Sequence, residues 1–425
     1  MTTGKTMVEK IMARISGGTP VSAGDEVRIR PDFVMAYDFP GYTDVIFRTV
    51  EEKFGLTELP APERFAIFID HMVPAIDPKE EEFHAQTRAW CAKFGIDCIE
   101  REGIGHQVAG ETGYGVPGAF AVHYDGHISQ LGALGTLAVN MPRQTLVEAF
   151  VREYIDFQVP QTVRLNLVGQ VRPGVMARDL FHGIVQKLGN KFARFAVLEL
   201  GGEVIEQLSL DGRQALTSIS MFTGALSAVI NPDQAMLDHA LPLARINLDP
   251  VSSDSDCTYS AEYTVDVSEI EVMVAQPPSP SRTTPLSEVS GTEVQVGYIG
   301  SCASGRIEDL RAAAKVLKGK TLAPGFSLHV VPTSRRIMAQ AAREGLLEVF
   351  SDCGAFVSSA SCDFCYGRIA TMREGQRAVS TGTLNVKGRM GSPDSEIFLV
   401  NAAVVAQTAI DGRIPDPAQM MAEVK

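Results

Sequence analysis

Residues 300–310 read Gly-Ser-Cys-Ala-Ser-Gly-Arg-Ile-Glu-Asp-Leu, a turn of small residues between two regular segments. The apolar run Val294–Ile299 before the turn predicts a buried strand, and the apolar spacing over Ile307–Val316 after it predicts a helix. The stretch therefore places Cys302 on a turn that leaves a strand and enters a helix.

A second cysteine element follows further along the chain. Cys362 and Cys365 form a Cys-x-x-Cys pair with Asp363 and Phe364 between them. Two thiolates at this spacing can face one metal centre, and a third cysteine from a distant loop would complete a three-thiolate site. Three thiolates suit a [4Fe–4S] cluster with one open iron, which acts as a Lewis acid on a hydroxyl or carboxylate oxygen.

Two other interpretations of these cysteines stay open at this point. Zinc also binds thiolates, although a structural zinc site usually has four protein ligands. A redox-active dithiol is less favoured, because that motif normally opens a helix in a small thioredoxin-like unit. The remaining cysteines are interpreted as ordinary buried or surface thiols: Cys91, Cys98, Cys257 and Cys353.

Short apolar runs alternate with segments of helical spacing along the rest of the chain. The predicted helices are residues 3–16, Lys79–Phe94, Ala177–Leu188 and Ile307–Val316. The predicted strands are Val27–Ile29, Phe65–Ile69, Val163–Val168, Val294–Ile299 and Leu328–Val331. This alternation predicts α/β domains with largely parallel sheets.

A proline-rich segment indicates one domain boundary. Residues 277–285 read Pro-Pro-Ser-Pro-Ser-Arg-Thr-Thr-Pro, which cannot continue a helix or an interior strand. We therefore predict a linker at 277–287, and a softer boundary near Val159-Pro160. The expected domains are residues 1–160, 161–276 and 288–425.

Composition and charge restrict the class of protein. The 425 residues carry a formal net charge of −13, which argues against nucleic-acid binding because that requires a basic surface. No run of 18 apolar residues occurs, and the N-terminus lacks the apolar core of a secretory signal, so we expect no membrane span. The seven cysteines are odd in number and sparse, which favours reduced or metal-bound thiols in the cytoplasm over a disulfide framework.

Residues 300–310 resemble the Gly-Ser-Cys-Thr-Asn-x-Arg-Ile-Glu-Asp-Leu element of 3-isopropylmalate dehydratase and homoaconitase large subunits, in the aconitase superfamily. Residues 385–392, Asn-Val-Lys-Gly-Arg-Met-Gly-Ser, are similar to a second element of that family, Asn-Phe-x-Gly-Arg-x-Gly-Ser. Further matches in the family's order are Asp70-His71, His106, Pro117-Gly118, Asp125, His127, Gly132-Ala133 and the pair Cys362/Cys365. The matches extend over about residues 25 to 415.

The resemblance implies three α/β domains around a central [4Fe–4S] cluster. Cys302, Cys362 and Cys365 would hold the cluster and leave one iron open. The family's fourth, swivelling domain is absent from this chain, and in two-chain relatives it is a separate small subunit. We therefore expect a small swivel-domain partner that supplies a serine base and an arginine.

The resemblance also implies roles for the acidic and histidine residues. Dehydration needs a base for a carbon-bound proton and an acid for the departing hydroxyl, and a histidine oriented by a carboxylate can be that acid. In the family this role belongs to the positions of Asp70 and His71. His106 and Asp125 match a second histidine–aspartate pair, and His127 matches another site histidine. For a single histidine a structural role would be favoured, but five matched positions together favour an active site.

Several positions depart from the family pattern. Gly126 and Ile128 stand where the family has serine and threonine, and Phe222 stands where it has a glutamate that pairs with the histidine at position 127. Leu384 replaces the first of two arginines, whereas Arg389, the second, is kept. An arginine grips a carboxylate with two hydrogen bonds and leucine cannot.

These departures bear on the substrate. Ala303-Ser304 replace Thr-Asn after the first cysteine, and Ser218 replaces an asparagine. The expected substrate-binding residues are Arg389, Ser304, Leu384 and Phe222. A more apolar pocket, lined by Leu384, Phe222 and Ile128, favours a hydroxyacid with one carboxylate fewer or with a bulky apolar group.

The leading hypothesis is a cluster-dependent hydro-lyase or isomerase large subunit that acts on an unusual small hydroxyacid. Leu384 and Phe222 argue against 3-isopropylmalate dehydratase activity itself. The alternative is a non-catalytic cluster-binding protein with a sensing or partner-binding role, in which the lost polar residues mark decay of catalysis. A hydrolase with a single zinc or iron ion is a weaker third hypothesis, because three thiolates would reduce the Lewis acidity of one metal ion.

Overall fold

The computed structural model describes residues 4–423 of the chain, and the side chains of residues 4–420. In chain order the helices are α1 (Met7–Ile15), α2 (Thr43–Arg48), α3 (Pro78–Phe94), α4 (Gly105–Glu111), α5 (Arg143–Arg152), α6 (Ala177–Leu188), α7 (Glu203–Gln207), α8 (Leu210–Ser218), α9 (Gln234–Ala240), α10 (Ile307–Leu317), α11 (Arg335–Arg343), α12 (Leu346–Cys353), α13 (Ala402–Asp411) and α14 (Pro417–Glu423). Helices predicted at 79–94, 177–188 and 307–316 are confirmed to within one residue at each end.

The strands are, in chain order, β1 (Glu26–Ile29), β2 (Phe33–Tyr37), β3 (Phe65–Ile69), β4 (Asp97–Glu100), β5 (Phe120–His123), β6 (Leu137–Asn140), β7 (Ile155–Gln158), β8 (Thr162–Val168), β9 (Val197–Gly201), β10 (Ser227–Ile230), β11 (Ala261–Asp266), β12 (Met273–Ala275), β13 (Thr283–Pro285), β14 (Val296–Ile299), β15 (Ser327–Val330), β16 (Phe356–Val357), β17 (Arg377–Ser380) and β18 (Glu396–Leu399). Each strand predicted from an apolar run is present, with ends shifted by at most two residues.

The first sheet has the strand order β4-β3-β2-β5-β6, and all of its pairs are parallel. Alternate residues of β3 enter different apolar clusters: Phe65 and Ile67 pack on one face of the sheet, and Ala66 and Phe68 pack on the other. Both faces are therefore covered, as expected for parallel strands that read as continuous apolar runs. Full burial of a phenylalanine or isoleucine side chain, such as Phe65, Ile67 or Phe68, contributes roughly 1.5–3 kcal/mol to stability.

Two further sheets carry the rest of the chain. The second has the order β10-β9-β8-β11 with parallel pairs throughout. The third has the order β13-β12-β18-β17-β14-β15-β16, and it is parallel from β18 to β16. Strands β1 and β7 form a small antiparallel pair. The predicted α/β class with largely parallel sheets is confirmed.

The residues predicted to be a linker, 277–287, have regular structure. Within them, β13 pairs antiparallel with β12, and the intervening residues form the turn of a hairpin at the edge of the third sheet. The prolines lie in the turn and on the edge strand, where their missing N–H groups cost no ladder hydrogen bond. The domain limits at 160, 277 and 288 stay a prediction.

The first and third sheets meet at a short bridge before α4. Gly103 pairs with Ser334, and the Ile104 amide donates to the carbonyl of Thr333 at 2.9 Å. Gly103 has φ +120°, and a Cβ there would lie 2.5 Å from backbone atoms of both partners. The close approach therefore requires glycine, and it fixes the start of the helix that carries His106.

No helix in the part of the chain that the structure describes is long and apolar enough to cross a lipid bilayer.

We predict that Gly103→Ala lowers the free energy of unfolding by roughly 1–3 kcal/mol more than Gly291→Ala does. Both glycines have positive φ, but a Cβ at Gly291 meets no atom within 4 Å, so the difference isolates the collision at the bridge. Denaturant unfolding of the two variants measures it. Equal losses would show that the bridge can open without cost.

Candidate active site

Three acidic residues follow neighbouring strands of the first sheet. Asp38 comes after β2, Asp70 after β3, and Asp125 shortly after β5. The chain runs outward from β2 through β3 and β4, and then returns to β5 on the other side of β2. Parallel α/β sheets bind ligands at such a switch point, outside the carboxyl ends of the strands.

Asp70 and His71 form a buried pair. The Nδ1 atom of His71 lies 2.7 Å from Oδ1 of Asp70, and the amide of Gly105 donates to Oδ2 of Asp70 at 2.6 Å. Burial alone would lower the pKa of His71, but the charges of Asp70 and Cys362 raise it well above its ordinary value. The carboxylate of Asp70 therefore favours the charged form of the imidazole.

Asp38 and His84 support this pair from behind, and sequence reasoning missed both. Oδ1 of Asp38 accepts the amides of Asp70 and His71 at 2.8 and 2.9 Å, and Oδ2 lies 2.8 Å from Nε2 of His84. Burial raises the pKa of Asp38 to about 6, although His84 works against this. The sequence marks Asp38 only by its position, as the acidic residue that directly follows the apolar run of residues 33–37.

Asp125 bonds to His127 more closely than to His106. Its Oδ1 lies 2.8 Å from Nδ1 of His127 and 3.9 Å from Nε2 of His106, and Tyr37 donates to Oδ2 at 3.1 Å. Burial would raise the pKa of Asp125, but the two histidines hold it well below its usual range. The expected His106–Asp125 pair is therefore a three-residue cluster in which His127 is the hydrogen-bonded member.

The histidines of this cluster keep unused ring nitrogens. Nε2 of His106 and Nε2 of His127 are both buried and have no hydrogen-bond partner. Burial lowers the pKa of His106, because the charged ring would lack water. Both rings can therefore receive a polar ligand at the switch point.

The three predicted cysteines lie on two turns of the third sheet. Cys302 follows β14, whereas Cys362 and Cys365 follow β16. The chain runs from β14 outward through β15 and β16 and then returns to β17 on the other side of β14, so this sheet also has a switch point, between β14 and β17. Cys302 and Cys365 are buried, and Cys362 is partly exposed. Burial raises the pKa of Cys302 well above its usual value, and the two other thiols raise it further.

The spacing of the thiols distinguishes between metal centres. One zinc ion holds thiolates at about 2.3 Å, which places tetrahedral sulfurs about 3.8 Å apart. Among the described residues, the only ligand atoms that come together in a set of three within 4.8 Å belong to Asp38, Asp70 and His71. The His71 ring is bonded to Asp70, and Asp38 accepts the backbone amides of both. The sulfurs of the three cysteines therefore do not all lie within 4.8 Å of one another, which is wider than one zinc ion would hold them.

The turns with cysteines and the first sheet meet directly. The amide of Cys362 donates to the carbonyl of Asp70 at 3.0 Å, and Cys362 is close enough to His71 to raise the pKa of that ring. Asp125 is close enough to Cys302 to raise the pKa of that thiol. The predicted cysteines, acids and histidines therefore form one site between two switch points.

Two arginines lie beside the thiols. Nε of Arg389 donates to the carbonyl of Cys365 at 3.0 Å, and Nη2 lies 3.4 Å from its sulfur. Burial would raise the pKa of Cys365, but Arg389 lowers it. Arg178, which sequence reasoning missed, is buried and donates to the carbonyl of Thr381 at 2.5 Å and to Oγ of Ser304 at 3.4 Å.

The predicted substrate-binding residues differ in their surroundings. Ser304 is buried against Arg178, and Arg389 is bonded to the turn of Cys365. Leu384 is partly exposed and belongs to none of the apolar clusters found among the described side chains. Phe222 packs edge to face on the ring of His127, with centroids 6.2 Å apart.

The expectation for Ile128 was wrong. Its side chain is fully buried in the apolar cluster beneath the first sheet, with Phe68 and Leu131, so it does not face the pocket. A residue not foreseen stands beside Phe222 instead. A Cβ at Gly126 would lie 2.8 Å from the sulfur and the terminal methyl of Met221. Met221 therefore occupies the space that the glycine leaves.

Comparisons with known proteins agree with this architecture. Residues 64–412 match the profile of the aconitase family (aconitate hydratase), and the chain belongs to that family. It is 35% identical to 3-isopropylmalate dehydratase large subunit 1 of Methanopyrus kandleri, over 97% of this chain and 99% of the relative. It is also 35% identical to the 3-isopropylmalate dehydratase large subunit of Aquifex aeolicus, over 98% of both chains.

A solved structure shows the same fold at much lower identity. Aconitase X of Thermococcus kodakaraensis superposes with a TM-score of 0.50 at 12% identity, over 98% of this chain and 95% of that one. The fold and the family that the motifs indicated are thus confirmed.

We predict that Gly126→Ser destabilises the protein by no more than about 1 kcal/mol, because the new side chain meets the sulfur and terminal methyl of Met221, which lie at the flexible end of that side chain. Met221→Ala should remove most of that cost, so the double variant should show a coupling of at least about 0.5 kcal/mol. Thermal or denaturant unfolding of the four proteins measures the coupling. Additive effects would mean that Met221 does not fill the space above Gly126.

Proposed function

We propose that the protein is the large subunit of an iron–sulfur-dependent hydro-lyase that adds water to, or removes it from, a small hydroxyacid. One observation carries the proposal: three thiols meet a charged, carboxylate-held histidine where two α/β switch points join. The named relatives, 3-isopropylmalate dehydratase large subunits, agree with this class of reaction.

Cys302, Cys362 and Cys365 are the residues that would hold a [4Fe–4S] cluster. Three thiolates leave one iron of such a cluster without a protein ligand, and that iron supplies Lewis acidity toward a hydroxyl or carboxylate oxygen. The positive side chains of Arg178 and Arg389 beside the three sulfurs suit a group of negative charge.

His71 is the proposed acid. Its Nδ1 is bonded to Asp70, so the ring presents its other nitrogen to the site beside Cys362. Because its pKa is raised well above the ordinary value, the ring carries a proton at neutral pH that it can give to a departing hydroxyl. The aromatic rings of Tyr37, Phe39 and Tyr366 surround it and restrict water.

The base and part of the pocket are proposed to come from a partner. The family's two-chain members place a serine base on a small swivel-domain subunit, and we infer the same arrangement here. His106 and His127 face the same space with free ring nitrogens and are proposed to bind the substrate's oxygen atoms.

The substrate is proposed to be a hydroxyacid with fewer carboxylates than the usual di- or tricarboxylates, or with an apolar group. Leu384 offers no hydrogen bond, and Arg389 already bonds to the turn of Cys365. Phe222 covers one side of His127, and Met221 fills the space above Gly126. An apolar substituent would contact these side chains, whereas a second carboxylate would lose its partner there.

A non-catalytic cluster-binding role is the competing function. It predicts that acid–base residues are free to lose their hydrogen bonds. The structure instead keeps both carboxylates engaged, Asp70 with His71 and Asp125 with His127. This ordered arrangement favours catalysis.

The first test is the metal content of protein purified without oxygen. We expect about four irons and four sulfides per chain, and we expect Cys362→Ala to lose most of both because one ligand is removed. Cys257→Ala is the control, since Cys257 lies outside the site and its loss should leave the iron content unchanged. Iron and sulfide assays with electron paramagnetic resonance measure the result. A single zinc ion that survives Cys362→Ala would contradict the proposal.

The second test concerns the substrate. In complex with a swivel-domain chain, Leu384→Arg should raise kcat/KM for dicarboxylates relative to monocarboxylates about tenfold or more, because a guanidinium can bind the second carboxylate. Val386→Arg is the matched control, since it adds the same charge to an exposed position of the same loop. The substrate assignment would be contradicted if the wild-type enzyme already prefers dicarboxylates and Leu384→Arg reduces that preference.

A further inference from the structure

We propose that Asp363 is a positioning residue that ties the loop of His71 to the turn of the cysteine pair. The His71 loop is defined as residues 70–73, and the cysteine turn as residues 362–367. The proposal takes two things from the proposed function, namely that Cys362 binds the cluster and that His71 is the site histidine.

Asp363 binds the His71 loop through its backbone. Its carboxylate accepts the amide of Met72 at Oδ1, at 2.8 Å, and the amide of Val73 at Oδ2, at 2.9 Å. These residues lie some 290 positions away in sequence. Asp363 itself is fully buried between the two cysteines of the pair. A side chain of the cysteine turn therefore closes the loop that presents His71.

The carboxylate is itself held in place. The hydroxyl of Tyr366 donates to Oδ1 at 2.7 Å, and Nη1 of Arg368 donates to Oδ2 at 2.7 Å. Arg368 also donates to the carbonyl of Pro74 at 3.0 Å and forms an ion pair with Glu80 at the start of α3. Charge-assisted bonds of this kind are stronger than neutral ones, so the connection resists small displacements.

Asp38 completes the arrangement from the first sheet. It accepts the amides of Asp70 and His71, so two buried carboxylates hold four consecutive amides of the His71 loop. Met72 has φ +53°, a left-handed conformation that costs energy for a residue other than glycine. The loop therefore depends on its carboxylate partners, and half of that support comes from the cysteine turn.

This geometry couples His71 to the thiols. The amide of Cys362 donates to the carbonyl of Asp70 at 3.0 Å, so the backbone of the cysteine turn is bonded to the residue next to His71. With Asp363 in place, the imidazole and the sulfur of Cys362 are fixed relative to each other. Without it, the loop keeps its bonds to Asp38 and to the amide of Cys362, but the amides of Met72 and Val73 lose their acceptors and the distance from His71 to the cluster ligands can vary.

The test is hydrogen exchange on the full chain, purified without oxygen and loaded with iron and sulfide. Asp363→Asn keeps the size of the side chain but supplies only one acceptor oxygen, so one loop amide faces an amide NH₂ and loses its bond. We expect amide exchange in residues 70–76 to rise about tenfold or more. Iron and sulfide should stay at the wild-type level, because all three thiols remain.

Asp179→Asn is the matched control. Asp179 is also fully buried and accepts two backbone amides, those of Met176 at 2.7 Å and Met273 at 2.9 Å, together with the side chain of Asn401. It should leave exchange at 70–76 unchanged. Arg368→Gln, which keeps the carboxylate but removes its ion pair, should raise exchange at 70–76 by a smaller factor.

Exchange at residues 70–76 that is unchanged in Asp363→Asn, or that rises evenly over β2, β3 and β5, would overturn the proposal. Neither outcome requires turnover, so the proposal can fail while the hydro-lyase function stands. When a substrate is in hand, Asp363→Asn should lower kcat with little change in KM, because the acid is displaced while substrate contacts remain. A fall in kcat/KM through KM alone would also overturn the positioning role.

Discussion

Two buried carboxylates, Asp38 and Asp363, accept hydrogen bonds from the backbone amides of residues 70–73, and the geometry of the site depends on these four bonds. One carboxylate belongs to the carboxyl edge of the first sheet and the other to a turn of the third sheet. Their bonds bring the two switch points together, so that the Asp70–His71 pair from one sheet faces thiols from the other. Burying either carboxylate without its hydrogen bonds would cost free energy. The bonds of each carboxylate therefore depend on the others being formed at the same time.

Charge balance is the second constraint on the site. Three thiolates in one site would repel one another, and burial already raises the pKa values of Cys302 and Cys362. Arg178 and Arg389 lie beside them, and even the buried Arg178, whose pKa falls to about 10, stays charged at neutral pH. Their positive charge compensates part of the negative charge that thiolates and a bound cluster would bring.

The sequence predicts the parts of this site that are marked by local pattern. Apolar runs located β3 and β14, and the cysteine spacing located Cys362 and Cys365 as proposed cluster ligands, because both signals lie within a few residues. The resemblance to the aconitase superfamily supplied His106, Asp125 and His127 as site residues. It could not give their pairing, since the choice of His127 as the partner of Asp125 depends on the helical turn that follows residue 125.

The parts that the sequence does not predict depend on contacts across the whole chain. Asp363 was visible inside the cysteine motif, but its bonds to residues 72 and 73 cannot be inferred from spacing. Ile128 was expected in the pocket because it replaces a polar residue, yet the geometry turns it into the core beneath the sheet. No sequence pattern marks Arg178, because a single arginine at the start of a helix is common on protein surfaces. It is buried here because α6 packs against the turns that follow β14 and β17.

The central claim is that one iron–sulfur centre lies between the three thiols and the Asp70–His71 pair. Anomalous diffraction at the iron edge tests this directly. Crystals grown without oxygen should show one iron peak of several atoms bounded by Cys302, Cys362 and Cys365, with His71 beside it. A single metal ion held by Asp38, Asp70 and His71, or no iron at the thiols, would contradict the account.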